Sequence, residues 1–282
     1  MSSKDENEPT ESSRKLLKFV EKGFAPASNY EKVRQDYPLE AVKFFVENLR
    51  LLDDNTPESK VLELGAGTGK FTRAMLEVLK DQNVRVIASD PVDQMCEKFK
   101  RLEPDIDIIN CVAEKISLPD ESVDVVIAAQ SFHWFANPSS LREIHRVLST
   151  DGRFGMIWAL PEFSLPWLAE IWAFLDPLYK QQSVVLPFNE MWKNVFDTSP
   201  RKLFTNLNEN LSYRLDLPSS FEDCYEFFAS FSFIINSSES IKESFRELFD
   251  EIKRKYFINK GTGLDHIPFK IYMYWCTKEA SG

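Results

Sequence analysis

The 282-residue chain carries 34 Lys and Arg against 44 Asp and Glu, a formal net charge of −10 at pH 7, and 43% of its residues are hydrophobic. A chain of this length forms one large domain or two small ones and buries a sizeable core. The negative charge repels phosphate backbones and anionic bilayers, which disfavours nucleic-acid and membrane partners. The composition therefore predicts a globular protein that binds neither nucleic acid nor membranes.

Cysteine, histidine and the N-terminal segment bear on compartment and cofactors. The four cysteines and three histidines are too scattered for a disulfide framework or a metal site. Residues 1–13 are polar and mostly acidic, unlike a signal peptide, and predict a disordered tail. The longest uncharged stretch, Val125–Leu141, is too short and too polar to span a membrane. We expect a cytoplasmic protein without a metal, either a monomer or a weak homodimer.

Residues 14–160 begin with helices and then alternate strands with helices. In residues 14–55, apolar spacing predicts helices over Lys15–Glu21 and Leu39–Leu52. In residues 56–160, the predicted strands are Val61–Leu64, Val84–Ser89, Ile106–Cys111, Val123–Ala129 and Arg153–Ala159. The helices between them are Lys70–Lys80, Val92–Leu102 and Pro138–Leu148. This alternation predicts an α/β, Rossmann-like fold, with a mostly parallel sheet covered by helices on both faces.

The rest of the chain breaks this rhythm. Residues 161–205 predict an aromatic-rich helical insertion, a lid after the fifth strand, with helical pieces at Pro161–Gln182 and Asn189–Phe196 and interruptions at Pro166 and Pro177. Residues 206–282 predict strands at Leu211–Leu217 and Phe269–Cys276 and helices at Phe221–Phe231 and Ile241–Tyr256. We predict a single domain over residues 14–282 with seven strands.

A glycine-rich loop follows the first predicted strand: Glu63, Leu64, Gly65, Ala66, Gly67, Thr68 and Gly69. Glycines there let the backbone turn sharply and approach a ligand closely. A P-loop would need Ser or Thr after Gly69-Lys70, where Phe71 stands, and a dinucleotide G-x-G-x-x-G starting at Gly65 would end on Lys70. The spacing acidic-x-G-x-G-x-G instead resembles the first motif of class I S-adenosylmethionine (SAM)-dependent methyltransferases.

This resemblance, to the methyltransferase type 11 domain, implies a seven-stranded sheet whose last strand is antiparallel. It also implies further SAM-binding residues. Asp90, which ends the second strand, would bind the ribose hydroxyls, although it also suits a helix N-cap. The residues Pro91, Met95, Ala113 and Glu114 match positions near the adenosine, and a core role for Met95 stays open. Gln130 and Ser131, which leave the fourth strand, resemble the segment beneath the sulfonium.

Upstream, Tyr30, Arg34 and Tyr37 lie in a Y-x-x-x-R-x-x-Y-P segment. It is similar to one in the trans-aconitate methyltransferase-like group that folds over SAM, where the Arg faces the SAM carboxylate. Gln35 stands where that group often has proline. Residues 14–55 would then form helices over the cofactor, and residues 56–160 the cofactor-binding core. An exposed Arg and a buried Tyr without a ligand role are the alternative.

The methyl acceptor is predicted less directly. His133 is a candidate for positioning the acceptor or for acting as a base. Candidate acceptor-binding aromatics are Trp134, Phe135, Trp158 and Trp172, each of which could equally be a core residue.

The preferred function is SAM-dependent methylation of a small molecule at a carboxylate oxygen by in-line transfer, with S-adenosylhomocysteine (SAH) as the product. The alternatives are a small-molecule N-methyltransferase, a non-catalytic SAM- or SAH-binding protein, a nicotinamide-dependent oxidoreductase, and a protein or RNA methyltransferase.

Overall fold

The computed structural model describes residues 36–52, 58–181, 190–198, 202–258 and 263–280. The strands are β1 (Ser59–Leu64), β2 (Val84–Asp90), β3 (Asp107–Asn110), β4 (Val123–Ala129), β5 (Leu148–Pro161), β6 (Asn208–Asn210), β7 (Arg214–Pro218) and β8 (His266–Thr277). The α-helices are α1 (Leu39–Asn48), α2 (Lys70–Leu79), α3 (Asp93–Leu102), α4 (Pro138–Val147), α5 (Pro166–Gln181), α6 (Asn194–Asp197), α7 (Phe221–Ala229), α8 (Ser232–Ile235) and α9 (Glu239–Ile252). Short 3₁₀ turns cover Phe132–Trp134 and Met191–Lys193, and a π turn, Lys253–Phe257, follows α9.

One sheet organises the described residues, in the order β3-β2-β1-β4-β5-β8-β6, with β7 also paired to β8. Strands β1 to β5 run parallel to one another, whereas β8 runs antiparallel to β5, β6 and β7. The predicted parallel sheet with a reversed last strand is therefore confirmed. Because the carboxyl ends of β1, β2 and β4 meet at one edge, the loops that follow these strands lie side by side.

Within the described part of the chain the sheet has eight strands rather than the predicted seven, because two short strands share its outer edge. β6 pairs with residues 273–275 of β8 and β7 pairs with residues 266–270. Asn208, Glu209 and Asn210 show no apolar alternation, so their sequence does not indicate a strand. Backbone pairing to β8 places them there.

Separate hydrophobic cores cover the two faces of the sheet. The core on one face includes Phe45 of α1 and Phe249 of α9, and the core on the other includes Ile144 of α4 and Trp192. Neighbouring residues of β5 point to opposite faces, so Ile157 belongs to the first core and Trp158 to the second.

Helix α5 corrects the prediction for Pro177, which does not interrupt the helix but lies inside it. Its ring removes a backbone donor near the C-terminal end, which costs ~3 kcal/mol in a helix interior. Leu168, Ile171 and Leu175 of α5 are fully buried, and their burial offsets this loss. Pro166 begins the helix, a position where the missing N–H has no helical partner in any case.

Not every predicted element can be compared with the structure. The predicted helix Lys15–Glu21 lies outside the described residues. Among the residues the structure does describe, no helix has the length and apolar character needed to cross a bilayer.

Candidate functional site

The glycine loop is fixed against the end of β2. The backbone N–H groups of Gly65 and Ala66 both donate to the Ser89 carbonyl, at 2.8 and 2.9 Å. Gly65, Gly67 and Gly69 have φ angles of +71°, +57° and +85°. These left-handed conformations are available to glycine without steric cost, which explains the repeated glycines.

The three glycines differ in what surrounds them. A Cβ at Gly65 would lie 2.7 Å from the Ser131 Cβ, and one at Gly69 would lie 3.0 Å from the Phe99 ring. At Gly67 no heavy atom of the described residues lies within 4 Å of that position. Gly65 and Gly69 therefore serve packing, whereas Gly67 leaves the backbone open to a ligand.

Asp90 joins this loop to the next helix. Its Oδ2 accepts the Gly67 N–H at 3.0 Å, and its Oδ1 accepts the N–H of Val92, which directly precedes α3, at 2.9 Å. Burial raises the pKa of Asp90 to about 6, although the two backbone bonds act in the opposite direction. Each carboxylate oxygen keeps a free lone pair, so the carboxylate could still accept hydrogen bonds from the two hydroxyls of a ligand diol. The N-cap expected as an alternative role for Asp90 is wrong: the N-cap of α3 is Val92, without a side-chain cap bond, and Asp90 lies two residues before it and accepts its N–H.

Glu63 lies beneath the loop, at the end of β1. It is 1% exposed, and its Oε2 accepts the Thr72 hydroxyl of α2 at 2.6 Å. Burial raises the pKa of Glu63 to about 7, opposed by the Thr72 bond. The buried carboxylate therefore links the strand and the helix on either side of the loop. No pattern in the sequence identifies Thr72 as its partner.

We expect Glu63→Gln to flatten the pH dependence of stability. The pKa of Glu63 is raised from 4.5 to about 7, so its contribution is fully present below pH 4.5 and is lost as the pH rises through 7. The wild-type protein should lose about 3 kcal/mol relative to the Gln variant across that range. Urea unfolding at pH 4.5, 6 and 8 measures the difference, and parallel curves for the two proteins would contradict it.

The residues predicted near the adenosine occupy the next loops along the sheet edge. Met95 is 4% exposed in the first turn of α3. Glu114 is buried, and its Oε1 accepts the Asn137 side-chain amide at 2.8 Å. The Asn137 side chain also caps α4, a role that its position before Pro138 would have predicted. Ala113 is buried beside Glu114, and Pro91 is half-buried beside Asp90.

Gln130 and Ser131 tie the end of β4 to its neighbours. Gln130 has a φ of +54°, a strained conformation for a residue with a Cβ, and its side-chain amide donates to the Ala159 carbonyl at 2.7 Å. The Ser131 hydroxyl donates to the Leu64 carbonyl at 2.6 Å. Gln130 thus ties this segment to β5, and Ser131 ties it to the residue that precedes Gly65.

His133 lies in the 3₁₀ turn that follows. Its Nδ1 accepts the indole N–H of Trp158 at 3.2 Å. Burial lowers the pKa of His133 to about 3, so the ring is neutral at physiological pH. With Nδ1 as an acceptor, the ring proton is on Nε2.

The candidate acceptor-binding aromatics are distributed over different parts of the molecule. The centroid of the Trp134 ring lies 4.9 Å from that of the His133 ring. The Phe135 ring lies edge-to-face on Phe132, with the ring centroids 5.5 Å apart. Trp158 is fully buried behind His133. Trp172 packs on the opposite face of the sheet from Trp158, so the structure does not bring these two tryptophans together.

The segment before α1 reaches the start of α2. The Tyr37 ring lies edge-to-face on Phe71 at 5.1 Å, and Asp36 pairs with Lys70 at 2.9 Å. Tyr37 therefore lies next to the glycine loop. Tyr30 and Arg34 lie outside the described residues.

Two observations test whether this edge of the sheet suits SAM. Gly67 leaves open space for close approach, and the Thr68 hydroxyl is buried without a hydrogen-bond partner among the described residues. A buried hydroxyl normally has a partner, so this one is available to a ligand. Together with the Asp90 carboxylate, these groups fit a polar, hydroxyl-bearing molecule such as SAM.

Comparisons with known proteins agree with this geometry. A family model described as a methyltransferase domain matches residues 62–156. An uncharacterised methyltransferase of Schizosaccharomyces pombe is 32% identical over 244 residues, which cover 86% of this chain and 91% of that protein. An uncharacterised methyltransferase of Mycobacterium tuberculosis is 31% identical over 169 residues, which cover 58% of this chain and 65% of that protein.

The fold itself has solved counterparts. The YcgJ protein of Bacillus subtilis superposes with a TM-score of 0.53 at 19% identity, covering 86% of this chain and 99% of that one. At this identity the likeness concerns the fold alone. The glycine loop, the sheet and the extent of the S. pombe match lead to one conclusion: the chain belongs to the class I SAM-dependent methyltransferases, with SAM as its cofactor.

Proposed function

We propose that this methyltransferase acts on a small molecule and methylates a carboxylate oxygen by direct in-line transfer. The observation that carries the proposal is the state of His133, the titratable side chain of the segment predicted to border the acceptor. It is neutral, and its Nδ1 is occupied by the Trp158 N–H. A ring in this state is poorly suited to removing a proton, and a carboxylate acceptor has no proton to remove at neutral pH.

We assign the cofactor to the edge formed by the loops after β1, β2 and β3. Asp90 would accept hydrogen bonds from the ribose hydroxyls. Gly67 would allow the ligand to approach the backbone closely, and Met95 would lie against the adenine. SAM supplies a methyl group on a positively charged sulfur: the acceptor oxygen donates the electron pair of the new C–O bond, and the C–S pair returns to sulfur, which leaves SAH. Positioning and exclusion of water are then the main tasks of the protein, and good orientation can contribute ~7–11 kcal/mol.

The acceptor side is assigned to the turn after β4. Trp134 and Phe135 offer apolar surface, and the His133 Nε2–H offers one hydrogen-bond donor. An acid with an apolar body suits this combination, because the body would pack on the rings while an oxygen accepts the N–H.

The test has two steps. Calorimetric titration with SAM, SAH and NAD is expected to show binding of the first two and none of NAD. Incubation with SAM and a panel of small acids and amines, followed by mass spectrometry, is then expected to yield methyl esters. If only the amines are methylated, the protein is an N-methyltransferase and the assignment to a carboxylate oxygen is wrong. Binding of SAM without any methylated product from acids or amines would leave a SAM-binding protein and overturn the proposal.

A further inference from the structure

The contact between Trp158 and His133 determines which ring nitrogen carries the imidazole proton. The indole nitrogen is a donor only, so the 3.2 Å contact requires His133 Nδ1 to be the acceptor. A neutral imidazole has one acceptor and one donor nitrogen, which makes Nε2 the donor. A tautomer fixed by a neighbour acts differently from a free histidine, because its proton cannot move to the other nitrogen without breaking that bond.

Trp158 is itself held in place. It is fully buried on β5, and its ring lies 4.9 Å from Trp192 and 6.1 Å from Tyr274. All three side chains belong to the core on the same face of the sheet. Close packing on this scale leaves a large side chain little freedom to change rotamer, so the indole N–H keeps its direction.

His133, in contrast, lies at the boundary between core and site. The residue is half-buried, in the turn between the strained Gln130 and helix α4. Its ring is tilted against Trp134 at 4.9 Å. With Nδ1 turned toward the buried indole, Nε2 is the nitrogen left for a ligand.

We propose that Trp158 is a positioning residue that fixes His133 as an Nε2–H donor to the acceptor's carboxylate oxygen, so that the enzyme selects acceptors that are already anionic. The inference rests on the proposed function and deepens it. A carboxylate brings its own electron pair and releases no proton when the C–O bond forms. A phenol or thiol of the same skeleton would have to lose a proton, which an Nε2–H donor cannot accept.

The tautomer is tested without any substrate. The chain has three histidines, so ¹⁵N-histidine labelling gives three imidazoles, and His133→Asn identifies the signals of His133. We expect a protonated Nε2 and an unprotonated Nδ1 at neutral pH. Trp158→Phe keeps an aromatic ring, although a smaller one, and removes the N–H, so it should produce a mixture of tautomers. A protonated Nδ1 in the wild type, or an unchanged tautomer in Trp158→Phe, would overturn the inference.

Trp192→Phe is the matched control for packing. It trims a buried tryptophan of the same cluster and should leave the His133 signals unchanged. If both variants shift the tautomer equally, the core rather than the Trp158 N–H sets it.

The acceptor half of the inference is measured by kinetics. With an acid methylated in the screen, Trp158→Phe should raise KM by roughly tenfold through a poorly directed hydrogen bond, with a smaller change in kcat. The calorimetric affinity for SAM should stay unchanged. The wild type should methylate the acid in preference to the phenol of the same skeleton. Equal rates on both would overturn the selectivity, whereas failure to bind SAM would reject the proposed function and leave the tautomer result standing.

Discussion

Gly67→Val is expected to weaken SAM binding by at least ~100-fold, about 2.7 kcal/mol of binding free energy, while the sheet still folds. The φ of Gly67 is +57°, and no heavy atom of the described chain lies within 4 Å of where its Cβ would be. The valine methyl groups would therefore extend into the space that we assign to the ligand. Calorimetry with SAM measures the loss, and a variant that binds SAM as tightly as the wild type would show that the ligand does not approach this loop.

The substitution also strains the backbone, so it needs a control at a left-handed position away from the glycine loop. A side chain in the left-handed region costs ~1–2 kcal/mol. Asp151 has a φ of +62° and lies on an exposed part of β5. Asp151→Val should lower stability to urea by less than Gly67→Val, because Asp151 already carries a Cβ at a positive φ, and should leave SAM affinity unchanged. Equal loss of affinity in both variants would attribute the effect to strain instead of ligand contact.

Asp90→Ala is expected to weaken SAM binding by ~10-fold or more, because each hydrogen bond to a charged acceptor contributes ~1.5–3 kcal/mol. The same side chain holds the Gly67 N–H and the Val92 N–H, so its loss also loosens the loop that faces the ligand. Unchanged affinity by calorimetry would remove Asp90 from the ribose assignment.

Two comparisons separate ligand contact from general charge effects at Asp90. Asp93→Asn removes an exposed charge in the first turn of α3 and should leave SAM affinity unchanged. The pKa of Asp90 is raised to about 6, so the wild-type carboxylate is protonated below that pH and becomes a poorer acceptor. SAM affinity should therefore fall as the pH drops below 6, and this fall should disappear in Asp90→Ala.

The parts of the fold predicted from sequence are those with a strong local signal. The predicted strand Val123–Ala129 has the same bounds as β4, because a short, nearly continuous apolar run is typical of a strand that is buried on both faces. β5 begins earlier than predicted, at Leu148, since the strand continues through Asp151 and Gly152, which in sequence resemble a turn. Pairing with β4 and β8 determines where this strand begins. Local propensity carries no information about that tertiary pairing.

In the site, too, the sequence predicts local patterns but not contacts between distant residues. The spacing of Glu63, the loop glycines and Asp90 predicts which residues meet at the sheet edge, because parallel strands end together. The bond from Trp158 to His133 joins residues that are 25 positions apart, and nothing in either neighbourhood indicates it. The sequence places Trp158 among the candidate acceptor-binding residues, whereas the structure buries it fully behind His133.

The interrupted outer edge of the sheet has a consequence for self-association. An exposed strand offers unpaired backbone groups to which the edge strand of another molecule can add. Here that row is divided between β6, three residues long, and β7, five residues long. β7 also carries the charges of Arg214 and Asp216 and ends at Pro218, which has no N–H to donate. The fold thus exposes its backbone there only in short, charged pieces, an arrangement that opposes strand-by-strand aggregation of the native protein.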